Sequence, residues 1–297
     1  MTSIGIVNMI ARPFKLLITC LTLIAVSACS SSGANLPDPT ALTAFKQQVQ
    51  LVQHWSVPVG KGDYKSSSFM QPVLSEGAVF AASGQQLGSY NLDTGKANWT
   101  IDLAEQITAG IGQVDQQLFV VTQSGKLVAI SSADGSELWR VNASSEALAA
   151  PQANSEIVVV QTVDGKVSSY SVVEGKFQWS YTANLPSLTL RGTSTPLVNE
   201  SYTYAGFASG KLVALDNQTG SVVWQKSIGT AEGRSEIERL VDVDGKLTLV
   251  DDLLYVTSYQ GSIAAIDALT GAVKWQQPVS SVSGTALVGD AVLVVDA

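Results

Sequence analysis

The chain has 297 residues, of which 45% are hydrophobic, and this is enough apolar material to bury a sizeable core. Its formal net charge is −8, because 25 acidic side chains outnumber 17 basic ones. An acidic surface repels phosphate backbones and anionic lipid headgroups, so the composition argues against nucleic-acid binding and against membrane docking through basic residues.

The first 28 residues have the pattern of a secretory signal. Arg12 and Lys15 form a basic flank, and a mostly apolar run of eleven residues follows at 16–26. Eleven residues are too few to span a bilayer, which needs about 20. Translation starts at Met1 or at Met9, because the pattern is intact without the first eight residues. Both basic residues leave with the signal, so the remainder has 15 basic and 25 acidic side chains.

Small residues precede Cys29, and the run Val26-Ser27-Ala28-Cys29 resembles a bacterial lipobox. This predicts cleavage before Cys29 and attachment of lipid to that cysteine. The alternative is an ordinary signal peptidase site that happens to precede a cysteine. Cys20 lies in the signal, so the mature chain keeps a single cysteine and forms no internal disulfide. Residues 29–50, rich in serine and proline near their start, are predicted to be a flexible tether.

From residue 51 to residue 297 the chain is built of repeats about 40 residues long. The tryptophans are Trp55, Trp99, Trp139, Trp179, Trp224 and Trp275, and the last five each follow a glycine by four residues. Glycine adopts a corner with positive φ without steric cost, and a large ring at a fixed place can wedge against the next repeat. The period and the short β runs predict an all-β fold, a β-propeller of four-stranded blades.

The predicted strands follow the repeats in chain order. They are 52–58; 73–82, 87–92 and 97–101; 117–122, 127–131 and 138–141; 157–162, 167–172 and 177–181; 202–207, 212–215 and 222–226; 254–258, 263–266 and 273–276; and 282–288 and 292–296. The first of these is expected to be a stray outer strand. The pattern gives five complete units and part of a sixth, so the sequence is either a fragment of a longer propeller or a natural short form.

Two connections between units are longer than the others. The first insertion, 182–196, follows Trp179, and the second insertion, 227–246, follows Trp224. Both leave a tryptophan strand and precede the first strand of the next unit. Because equivalent connections of consecutive blades emerge side by side, we expect the two insertions to form one composite surface.

The first insertion contains Leu188, Leu190 and Arg191. The two leucines alternate with Thr189, which is also typical of a half-buried strand. If they lie on a loop instead, they form an apolar patch beside a bidentate donor, a usual composition for an interface hot spot.

The second insertion contains Asp242 and Asp244. One interpretation is a solvated acidic turn; the other is that these carboxylates meet Arg191 or a basic partner. A calcium loop would need another oxygen ligand where Lys246 stands, so no metal site is predicted. His54 is the only histidine and lies far along the chain from both insertions. No catalytic residues and no cofactor are therefore predicted.

The Thr-Gly corners that precede Trp99, Trp224 and Trp275 resemble the repeat of pyrroloquinoline-quinone (PQQ) propellers. One function known for that repeat is quinone-dependent dehydrogenation, the alternative class here. Such enzymes typically use adjacent cysteines and a calcium ion held by carboxylate and amide ligands. A mature chain whose single cysteine carries lipid argues against this class.

The lipobox and the runs at 186–192 and 235–244 resemble the BamB family, lipoproteins of the outer-membrane β-barrel assembly (Bam) machinery. The resemblance implies an eight-bladed propeller without enzymatic activity, anchored by lipid on the periplasmic face of the outer membrane. It implies binding to the POTRA domains of the central subunit BamA and association with other Bam subunits. It also implies association with unfolded outer-membrane protein clients and a part in the folding and insertion of those proteins. The partner-contacting positions that it implies are Leu188, Leu190, Arg191, Asp242 and Asp244.

Overall fold

The computed structural model describes residues 44, 46, 49–60, 70–190, 194–230, 232–289 and 291–296. The predicted signal, the predicted lipidation site Cys29 and most of the predicted tether lie outside these residues. Contacts divide the chain into two units, Met1–Val52 and Gln53–Ala297, and every described strand belongs to the second. No helix within the described ranges is long and apolar enough to cross a bilayer.

The described strands form five four-stranded sheets and one hairpin. Blade 1 is β1 (Val73–Ser75), β2 (Ala78–Ser83), β3 (Gln86–Asn91) and β4 (Ala97–Asp102); blade 2 is β5 (Gly112–Val114), β6 (Gln117–Val121), β7 (Lys126–Ser131) and β8 (Glu137–Asn142); blade 3 is β9 (Gln152–Ala153), β10 (Ile157–Gln161), β11 (Lys166–Ser171) and β12 (Phe177–Thr182); blade 4 is β13 (Leu197–Val198), β14 (Tyr202–Gly206), β15 (Lys211–Asp216) and β16 (Val222–Ser227); blade 5 is β17 (Thr248–Val250), β18 (Leu253–Thr257), β19 (Gly261–Asp267) and β20 (Val273–Val279); the hairpin is β21 (Thr285–Val288) and β22 (Ala291–Val294). Strands pair in chain order within each blade, and the pairs are antiparallel. This confirms the predicted propeller of four-stranded blades.

The sequence located the second, third and fourth strands of blades 2 to 5 but missed their first strands. These first strands have two or three residues each. Such short pieces show no alternation of apolar and polar residues, so no pattern marks them. In blade 1 the predicted strand 73–82 is two strands, because a turn at Glu76 and Gly77 separates β1 from β2.

The apolar cores lie in the seams between neighbouring blades. Strand β6 shows how one strand serves two seams, because its side chains alternate in direction. Leu118 and Val120 belong to the core shared with blade 1, whereas Phe119 and Val121 belong to the core shared with blade 3. Both faces of the middle strands are therefore buried, and blades 2, 3 and 4 each share an apolar core with both neighbouring blades.

A tryptophan of one unit is fixed to the glycine corner of the next, as predicted. A Cβ atom added at Gly220 would lie 2.7 Å from the Trp179 ring, so only glycine leaves room for the ring there. The Trp179 Nε1–H donates to the Asn217 carbonyl at 2.7 Å. The same pair of features recurs for Trp55, Trp99, Trp139 and Trp224. This contact sets the spacing of consecutive blades.

Each fourth strand carries a bulge immediately before its tryptophan. In blade 4, for example, Ala214 pairs with Trp224 and Leu215 with Val222, so Val223 has no opposite residue. The same shift occurs in the other four blades. The extra residue bends the strand and turns the ring toward the neighbouring corner.

The predicted stray strand at 52–58 is wrong as a strand, because these residues belong to none of the described sheets. Trp55 nevertheless occupies the expected place. Its Nε1–H donates to the Leu92 carbonyl at 2.8 Å, and its ring lies against Gly95. The tryptophan contact is therefore made without a strand ladder around it.

Candidate functional site: the paired insertions

Both insertions leave the same end of their blades. The first follows β12 and the second follows β16, the fourth strands of blades 3 and 4. The glycine corners lie at the opposite end of these strands, where the fourth strand begins. The insertions also touch each other, because the Leu190 N–H donates to Asp242 Oδ2 at 2.6 Å. The expected composite surface is confirmed at this contact.

The leucines of the first insertion lie on a loop. Residues 183–190 belong to no strand, so the half-buried strand considered for them is wrong. Blade 3 already has its four strands, and β12 ends at Thr182. Leu188 is 41% exposed, and Leu190 is half-buried. An accessible apolar side chain therefore stands beside a partly buried one.

Arg191, the third predicted residue of this insertion, lies outside the described residues. Its sequence position is still informative, since Arg191 stands six residues before the first strand of blade 4 and Asp242 six before that of blade 5. Gln106 and Glu146 occupy the same offset in blades 2 and 3. The backbone carbonyls of Gln106, Glu146 and Asp242 all accept a hydrogen bond from the turn between the second and third strands of their own blade. This equivalence was not predicted, although the spacing to the next strand would have revealed it.

Asp242 is buried and not solvated, so the acidic-turn interpretation is wrong for it. Its side chain is 0% exposed. The segment around it enters the seam between blades 4 and 5, where Val243 N–H donates to the Phe207 carbonyl at 3.2 Å and Tyr259 N–H donates to the Asp242 carbonyl at 2.9 Å. A Cβ atom at Gly206 would overlap the Val243 side chain, so that glycine makes room for the segment. The apolar residues on either side of Asp242 draw the carboxylate into the interior.

The Asp242 carboxylate is only partly satisfied. Oδ2 accepts the Leu190 N–H, whereas Oδ1 has no hydrogen-bond partner among the described residues. Burial raises the pKa of Asp242 to about 6, against the opposing effect of backbone hydrogen bonds from Leu190 and Val241. Asp244 is half-buried, and burial together with the charge of Asp242 raises its pKa to about 7. Both carboxylates therefore titrate near neutral pH.

An open cavity of about 640 Å³ lies between the second insertion and blade 5. Its lining includes Gly229, Gly261, Ser262, Glu232 and Glu238. Backbone N–H groups of residues 234 and 235 donate to the Glu238 carboxylate and lower its pKa. Among the described residues, the lining contains neither histidine nor cysteine, and its acidic side chains are Glu232 and Glu238.

His54 is exposed and precedes the tryptophan that packs on blade 1, away from both insertions in the chain. Within the described ranges, no group of three or more histidine, cysteine, aspartate or glutamate side chains is placed to hold a metal ion. The groups that the described residues of the paired insertions present include apolar side chains, backbone N–H and C=O groups, and carboxylates.

Repeated four-stranded blades joined by tryptophan and glycine contacts define a β-propeller, and two of its long connections meet on one face. The profile of one family, described as "Outer membrane protein assembly factor BamB", matches residues 83–297. The chain belongs to this family, which confirms the resemblance seen in its motifs.

The relatives agree with this assignment. The chain is 38% identical over 264 residues to the outer membrane protein assembly factor BamB of Pseudomonas aeruginosa, covering 89% of this chain and 70% of that protein. It is 31% identical over 296 residues to the BamB of Shewanella oneidensis, covering 95% of this chain and 75% of that protein.

Solved structures show the same fold. The crystal structure of BamB from Moraxella catarrhalis matches with a TM-score of 0.70 and 32% identity, covering 75% of this chain and 68% of that one. The quinohemoprotein alcohol dehydrogenase of Comamonas testosteroni matches with a TM-score of 0.58, covering 72% of this chain and 43% of that one, but with 15% identity. The latter likeness shows a shared propeller fold alone.

Proposed function

We propose that the chain is a scaffold without enzymatic activity that docks on the periplasmic POTRA domains of BamA and assists the folding and insertion of outer-membrane proteins. The observation that carries the proposal is the hydrogen bond between Leu190 N–H and Asp242 Oδ2, which joins the two insertions into one surface. Membership of the BamB family supports a part in outer-membrane protein assembly. The resemblance of the insertion motifs supports the BamA POTRA domains as the partner.

The surface has the chemistry of a docking site. Leu188 is 41% exposed and Leu190 half-buried, so the pair can bury apolar area on a partner. The guanidinium of Arg191 can form a bidentate pair with a carboxylate. Apolar anchors beside a planar donor, held on a rigid support, are the usual core of a protein interface. Asp244, two residues after Asp242 in the second insertion, adds a half-buried carboxylate.

Titration of the purified chain with the BamA POTRA domains of the same bacterium tests this proposal. Saturable binding with one chain per POTRA array is expected. Absence of binding in a folded sample would overturn the proposal.

Anchoring at the outer membrane would depend on Cys29. Replacing it by Ser is expected to abolish acylation and to move the protein from the membrane fraction to the soluble periplasmic fraction, because stable anchoring needs acyl chains that the serine variant cannot receive. Mass spectrometry of the mature N-terminus and membrane fractionation measure both effects.

The matched control is Cys20→Ser, which changes the same residue type inside the predicted signal and is expected to leave acylation unchanged. A Cys29→Ser protein that remains in the membrane fraction would contradict lipid anchoring at this residue.

A further inference from the structure

The buried carboxylate of Asp242 is badly placed for direct contact with a partner. Asp242 is 0% exposed, and its Oδ2 atom accepts a hydrogen bond from the Leu190 backbone N–H. Its own backbone is fixed from the other side, by Tyr259 N–H and by the neighbouring Val243 N–H bond to Phe207. Asp242 thus lies between a fixed seam and the loop that carries the docking leucines.

We propose that Asp242 is a positioning residue whose ionised carboxylate holds the Leu190 backbone in the docking arrangement, so that docking on the POTRA domains weakens in mild acid. This inference rests on the proposed function. A charged acceptor makes a hydrogen bond roughly twice as strong as a neutral one, so protonation keeps the contact but weakens it. The Leu190 backbone is then held less firmly in the position in which this residue meets the partner.

Among the described residues, no positively charged side chain forms an ion pair with Asp242 that would keep it ionised. Asp244 on its own segment is also acidic. The turn between β14 and β15 contributes apolar Phe207 and Ala208, and the turn between β18 and β19 contributes Tyr259 through its backbone. Neither Asp242 nor Asp244 forms an ion pair within the described part of the chain. Arg191, the cation of the first insertion, lies outside the described residues.

Stability and docking should respond to pH in opposite directions. The folded-state pKa values of about 6 and about 7 lie above the ordinary value of 3.8, so burial disfavours the ionised forms. The contribution of these groups to folding is then fully present below about pH 4 and is lost as pH rises through 6 to 7. Acidification from pH 8 to pH 5.5 is expected to stabilise this part of the fold while it weakens docking.

The experiment measures POTRA binding at pH 7.5 and pH 5.5 for the wild type and for Asp242→Asn. The wild type is expected to bind about tenfold more weakly at pH 5.5, the change that corresponds to losing roughly half of a charge-assisted hydrogen bond. Asp242→Asn keeps a carbonyl acceptor without charge, so it should bind about tenfold more weakly than wild type at pH 7.5 and show no further loss at pH 5.5. The control Asp251→Asn removes an exposed carboxylate from the β17–β18 turn and should behave as wild type.

Amide hydrogen exchange of Leu190 in the chain alone gives a second readout that needs no partner. After correction for the intrinsic pH dependence, its protection is expected to fall between pH 7.5 and pH 5.5 in the wild type and to be low at both values in Asp242→Asn. Unchanged protection, or a pH dependence of docking that persists in Asp242→Asn, would overturn the positioning role. Absence of wild-type binding at both pH values would instead overturn the proposed function. The exchange rate of the Leu190 amide would in that case still test its hydrogen bond to Asp242.

Discussion

Replacing Leu190 and Arg191 together by alanine is expected to abolish docking on the BamA POTRA domains, with a loss of at least about a thousandfold. Truncation of interface hot-spot residues commonly costs 2 kcal/mol or more each, and every 1.4 kcal/mol is a factor of ten. Alanine at position 190 keeps its backbone N–H, so the bond to Asp242 Oδ2 can persist. The loss would therefore report the side-chain contacts with the partner, separately from the positioning of the loop.

Calorimetric titration and co-purification of the full-length protein with BamA measure this effect. The matched control is Leu269→Ala, which truncates a leucine that is 60% exposed on blade 5, at the end of the blade away from the insertions. The control should bind as wild type, and both proteins should unfold at the same temperature as wild type. Undiminished recovery of the complex by the double variant would show that the dock lies elsewhere.

Trp179→Ala is expected to lower the free energy of unfolding by about 3–5 kcal/mol, the range typical of truncating a large buried aromatic residue. Trp179 is 5% exposed, packs on Gly220 and donates to the Asn217 carbonyl. Its loss leaves a cavity in the seam between blades 3 and 4 and an unpaired carbonyl. Because β12 leads directly into the first insertion, this seam also holds the two insertions in register.

The comparison for this variant is Trp275→Ala. Trp275 has the same place in its blade but is 38% exposed, so its truncation should cost less than half as much. Urea unfolding followed by circular dichroism measures both, which avoids reliance on tryptophan fluorescence. Equal losses from the two variants would contradict the view that the ring stabilises by wedging between blades.

The repeat architecture could be predicted because glycine and tryptophan recur at regular spacings along the chain. A glycine four residues before a tryptophan marks both the corner and the ring that packs on the corner of the following blade, and the structure shows that contact at Gly220 and Trp179. The bulge before each tryptophan could not be predicted in the same way. It depends on pairing with the preceding strand, and residue types as different as Val223 and Lys274 occupy the extra position.

The shared face of the two insertions was predicted, but the burial of Asp242 within it was not. Connection length alone placed the two insertions on one face. The burial of Asp242 could not be foreseen, because the run Asp242-Val243-Asp244-Gly245 has the composition of a surface turn. Its burial follows from a distant residue, Gly206, whose missing side chain leaves room for Val243 in the seam. Tertiary packing of this kind leaves no local pattern in the sequence.

Hydrogen exchange of the chain with and without bound POTRA domains tests the central claim most directly. Slowed exchange is predicted in peptides that cover 185–190 and 240–246 together, with no change at the corner residues 217–220 and 268–271. Protection confined to the corners, or to one insertion without the other, would contradict a single docking surface built from both.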